Sequence, residues 1–176
     1  MTETYMQASR SEAEEIAATL KQLDVLLASD KLGTIYAADA TELRRSVRKM
    51  LATVNTDVEA LANIERNDIF KHDPTLAQHR YQLIKDIETT KIDFEFDIVP
   101  ALERLTKEVV EQAKQNPASV DESTLPPTPS GERWTVEKVL SKAEQFSDQA
   151  TKAVRFVPKA YTFAKALGLV LGIPVP

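Results

Sequence analysis

The chain has 176 residues, a formal charge of -5, 43% hydrophobic and 28% charged residues, and no cysteine. That length suits one domain, or one domain with an appendage, and it can bury a substantial core. Missing cysteines remove disulfides, thiolate nucleophiles and thiolate metal sites, and the acidic balance argues against a dedicated nucleic-acid binder.

Four glycines and 6% aromatics fit poorly with a sandwich, a barrel or a nucleotide-binding α/β fold. The composition therefore points to an all-α protein. The stretch from Met1 to Glu15 is polar and lacks the basic and apolar regions of a secretory signal. No run reaches the roughly 18 apolar residues of a spanning helix. The expected location is cytoplasmic, with peripheral membrane association as the variant.

In chain order, Ser11 with Glu14 and Ser9 with Glu12 form competing capping boxes for a first helix. Its apolar stripe is Ile16, Leu20, Leu23 and Leu27, and Asp30 and Gly33 end it. A second helix starts near Asp39, which caps with Glu42, and carries Leu43, Val47, Met50, Val54, Val58, Leu61 and Ile64 to about Arg66. Asp73–Pro74 opens a third, because an N-cap acid followed by proline loses no hydrogen bond at the first helical position.

Ile92, Phe94, Phe96 and Ile98 alternate with Asp93, Glu95 and Asp97, which is strand periodicity. A strand here would need a partner, and Thr34 to Ala37 is the sole, weak candidate. Helix is therefore expected, with Ile87, Phe94, Ile98, Leu102, Leu105 and Val109 lining one side and Pro100 kinking or splitting it. Asn116–Pro117 stops this element. Residues 116–133 hold Pro117, Pro126, Pro127 and Pro129 among polar residues, and read as an extended linker. Thr135 caps a last helical region that Pro158 breaks, before an apolar helix from Lys159 to Leu171.

The expected organisation is thus an antiparallel helical bundle over 1–115, a Pro/Ser-rich linker over 116–133 and a C-terminal apolar and basic helical segment over 134–176. Motifs for chemistry are scarce. The glycines are scattered, so no phosphate cradle forms. The residues three before His72 and His79 are Ile69 and Leu76, which excludes Glu-x-x-His metal pairs. Both histidines read as a loop and a helix-surface residue. Asp93, Glu95 and Asp97 lack the glycine turn and distal glutamate of a calcium loop, and read as a solvated face. Arg44, Arg45, Arg48 and Lys49 share one helix side, again read as an exposed face. No catalytic residue, cofactor or metal is expected.

Residues 1–133 carry 16 basic and 24 acidic residues, whereas 134–176 carry six and three. The last segment therefore combines positive charge with an apolar face and small residues at every fourth position: Ala160, Ala164, Gly168 and Gly172. It suits three roles: a final core helix over the acidic bundle, a docking element for another protein, or a basic amphipathic element at a membrane. The functional expectation is a non-enzymatic adaptor or assembly subunit that docks another protein, helix-in-groove or by bundle assembly. Its contact residues would be Val157, Ala160, Tyr161, Ala164, Leu167, Gly168 and Leu171. The runner-up is a membrane-associating effector using Lys152, Arg155, Lys159 and Lys165, shielded by the bundle until triggered. Oligomeric state leaves no trace in the sequence.

Overall fold

The computed structural model describes residues 2–32, 37–66, 73–120, 122–123 and 125–175. Among the described residues six α-helices pack as an all-α bundle and no strand occurs. They are α1 (Thr2–Leu27), α2 (Ala37–Arg66), α3 (Pro74–Asp93), α4 (Val99–Gln115), α5 (Val136–Lys152) and α6 (Phe156–Leu171). Gly33, His72 and most of the weak strand candidate lie outside the described residues.

The apolar stripes of α1 and α2 meet. Ile16, Leu20, Leu23 and Leu27 are buried, as are Leu43, Val47, Val54 and Leu61. Met50, Val58 and Ile64 pack at the edge of the same core. The start of α1 differs from expectation. It begins at Thr2, so Ser9 and Ser11 lie about two turns inside it, because nothing in the residues before them breaks a helix. At α3 the cap is as expected, with the Asp73 carboxylate accepting from the Thr75 N–H at 2.9 Å and Pro74 following.

Residues 92–98 are helical, with a twist that explains their alternating pattern. Phe94–Ile98 forms a π-helical turn in which the Val99 N–H donates to the Phe94 carbonyl, five residues back. Phe94 and Ile98 point inward at 0% and 1% exposure, while Ile92 and Phe96 point outward. The wide turn lies immediately before Pro100, which has no N–H to give to the preceding turn. The chain thereby passes from α3 to α4 continuously instead of splitting.

The proline-rich stretch is tied down. Val120 is buried, and Leu125 packs against the core. Thr128 and Glu132 close a turn in which Gly131 takes a φ of 80°. Thr135 then caps α5, accepting from the Lys138 N–H. The helix break comes at Ala153–Arg155, ahead of the expected Pro158. Pro158 sits in the first turn of α6, where no backbone donor is lost.

α6 is the centre of the molecule. It contacts α1, α4 and α5, and Ala160, Phe163, Ala164, Ala166 and Leu167 are all 0% exposed. The Phe156 ring meets Phe94 edge-to-face at 5.9 Å, fixing the start of α6 against the π turn. Its other end closes with Gly172 in the left-handed conformation and the Ile173 N–H donating back to Gly168 at 2.8 Å. The Lys31 ammonium donates to the Leu171 carbonyl at 3.0 Å, placing a cation at the negative end of the helix. Of the three roles the sequence left to this segment, α6 takes that of a final core helix.

Candidate functional site

The seven residues expected to form an open docking face are turned inward. Ala160, Ala164, Leu167, Gly168 and Leu171 are buried, and Val157 and Tyr161 are half-buried. An apolar helix made by this chain finds its partners in the same chain, so this face is core. The small-residue stripe permits close approach as expected, and at Gly168 the thing that approaches is the chain itself. A Cβ added there would meet the Ile173 carbonyl oxygen at 2.6 Å and the Val175 side chain at 2.7 Å.

The four basic residues named for a membrane contact are dispersed. Lys152 and Arg155 are exposed at the α5–α6 turn. Lys159 pairs with Glu103 of α4 at 3.9 Å. Lys165 lies over the Tyr161 ring at 4.7 Å. Between the first two, Val154 is 96% exposed. Among the described residues no helix is long and apolar enough to cross a membrane. The basic cluster on α2 also braces the bundle, since Arg44 and Arg48 reach Asp24 of α1 at 2.8 and 3.7 Å.

The surface feature with the most chemistry lies at the π turn. A cleft of 410 Å³ opens between the first turns of α2 and the π turn with α4. Leu43, Ile98, Ala101 and Leu105 form its apolar lining, and Asp39, Glu42, Asp97 and Glu108 stand around it, with Arg104 its one base among the described residues. Phe96 borders the same cleft and is 67% exposed, an unusual position for a large aromatic ring. The π turn is what puts it there. Phe94 and Ile98 take the inward positions, and Phe96 is rotated out beside the acids.

Of the three acids weighed as a carboxylate cluster, Asp97 alone borders the cleft, and Asp93, Glu95 and Asp97 are all exposed. Among the described residues no group of three or more histidine or acidic side chains could hold a metal ion. Sequence periodicity did not single out Phe96 as a functional residue. Its signal was being the one phenylalanine of residues 92–98 that falls off the inward stripe while flanked by two acids. Comparisons with protein-family models, with curated proteins and with solved structures found no match.

Proposed function

We propose that this protein is a non-enzymatic helical interaction module that receives a basic amphipathic helix of another protein in the Phe96 cleft. One observation carries the reading: an aromatic ring 67% exposed beside a 410 Å³ cleft that, among the described residues, is bordered by four carboxylates and a single arginine. An exposed ring offers an apolar anchor, and burying it on docking is worth about 1.5–3 kcal/mol. Each ion pair at the rim adds less, roughly 0–1 kcal/mol, and chiefly selects a basic partner. The contact surface thus moves from the α6 face to the cleft, while the class of function stays the same.

The test uses a fluorescent 18-residue leucine/lysine amphipathic peptide as probe, read by anisotropy on the full chain. Phe96→Ala should weaken binding by about ten- to a hundredfold, the equivalent of the anchor's burial. Glu137→Lys on α5, outside the cleft, should leave it within about twofold. Equal binding by wild type and Phe96→Ala would sink the reading.

A second reading draws on Val154, 96% exposed between Lys152 and Arg155. An apolar tip with basic flanks suits contact with an anionic lipid surface. α6 has 16 residues and is about 24 Å long, shorter than the roughly 30 Å hydrocarbon core, so such contact would be peripheral. Val154→Asp with Arg155→Glu should then abolish co-sedimentation with phosphatidylserine vesicles. If wild type fails to sediment with them at low salt, this second reading is wrong.

A further inference from the structure

A separate cavity of 320 Å³ lies between the proline-rich stretch, α5 and α6. Its chemistry differs from that of the Phe96 cleft. Pro126, Pro127 and Pro129 contribute to one wall, and prolines present no backbone N–H, so that wall is short of donors. Trp134 and Phe146 supply aromatic surface, and Leu169 supplies aliphatic surface. The remaining wall, Ile173 to Val175, is folded back over Gly168, where the absence of a side chain lets it approach.

Two lysines border this apolar space. The Lys142 and Lys165 ammoniums stand 5.0 and 5.8 Å from the centroid of the same Phe146 ring. Lys142 also donates to the Gln145 amide oxygen at 3.2 Å. Among the described residues neither ammonium has a carboxylate at ion-pair distance. Elsewhere in this acidic protein lysines do find acids: Lys91 with Glu12, Lys107 with Glu103, Lys114 with Glu144, Lys138 with Glu132. Two cations sharing one aromatic ring at the border of a pocket lined with apolar groups are complementary to a ligand with one anionic end and one aliphatic end. The volume is at the small end for ligand sites, which suits a single chain better than a two-chain lipid.

We propose that this cavity binds a free single-chain alkyl carboxylate. The chain lies along Trp134, Phe146 and Leu169, and the carboxylate sits between the Lys142 and Lys165 ammoniums. The site shares no residue with the Phe96 cleft, so either proposal can fail alone.

Trp134 is the chain's single tryptophan and lines the cavity, so its emission reports occupancy directly. Full-length protein is titrated with decanoate below its micelle concentration. A saturable change in Trp134 emission is expected, and Lys142→Glu with Lys165→Glu should raise the half-saturation concentration at least tenfold with unchanged circular dichroism. Decyltrimethylammonium, with the same chain and opposite charge, should bind wild type at least tenfold more weakly than decanoate, a comparison that needs no variant to fold. The proposal is overturned if wild type shows no saturable response, if both amphiphiles bind alike, or if the charge-reversed protein, still folded, binds decanoate as well as wild type. It is equally overturned if Trp134 responds to phosphatidylserine vesicles and not to monomeric decanoate, which would make the ligand a membrane surface.

Discussion

Leu167 of α6 is 0% exposed, and replacing it with alanine tests whether the last helix is the core of this bundle. The substitution removes three carbons, worth about 0.8 kcal/mol each when buried, or about 2.4 kcal/mol. A residual void of about 50 Å³ adds roughly 1 kcal/mol at about 24 cal/mol per Å³. The expected loss is therefore about 3.5 kcal/mol. For a chain of 176 residues each kcal/mol moves the melting midpoint by about 2–4 °C, so the midpoint should fall by about 7–14 °C. Thermal melts by circular dichroism supply the number, and urea titrations check that the slope, and so the surface exposed on unfolding, is unchanged. Val154→Ala, at the exposed α5–α6 turn, is the internal control, expected within about 0.5 kcal/mol of wild type. If Leu167→Ala costs no more than Val154→Ala, α6 is not packed as described, and the reassignment of its face from docking surface to core is wrong.

Three further outcomes follow from named contacts. Gly168→Ala should destabilise by about 1–3 kcal/mol in urea titration, because the new Cβ would sit 2.6 Å from a backbone carbonyl that must then move. Thr135→Ala should cost about 1 kcal/mol by the same assay, since its side chain accepts from the Lys138 N–H at the start of α5. Asp57 is 8% exposed with no partner for Oδ2 among the described residues, and burial first, then the neighbouring Asp86 charge, pushes its carboxyl above the ordinary carboxylate range. A raised folded value means the protonated form is favoured on folding, so this group's contribution is fully present below the unfolded pKa and is lost as pH rises through the folded one. Asp57→Asn should therefore raise the melting midpoint at pH 7 and have little effect at about pH 3. The opposite pH trend would refute the assignment.

Much of the architecture was legible because helix formation here is governed by local rules. The stripe from Leu43 to Leu61, the Asp73–Pro74 cap and the Thr135 cap each depend on residues within one or two turns, and each appears as expected. The inward face Ile87, Phe94, Ile98, Leu102, Leu105 and Val109 also holds across the π turn. What periodicity could not supply was the π turn itself, because one extra residue per turn looks like a lapse into alternation over so short a span. Nor could it decide what covers α6. An apolar face with small residues has the same pattern whether its partner is another molecule or a helix more than a hundred residues earlier in the same chain. The same limit hid the cleft: Asp39 and Phe96 are far apart in sequence, and only the packing of α2 beside α4 and the π turn brings them to one place.

The position of α6 also bears on synthesis. The Lys31 contact to Leu171 closes 140 residues of chain, and both α1 and α4 pack against α6. At about 5–20 residues per second, the ribosome needs several seconds to pass from the end of α4 to the end of α6. Until α6 has left the ribosome, the α1 and α4 side chains that pack against it lack that partner. The core therefore cannot close before α6 emerges, because α1, α4 and α5 all pack against it.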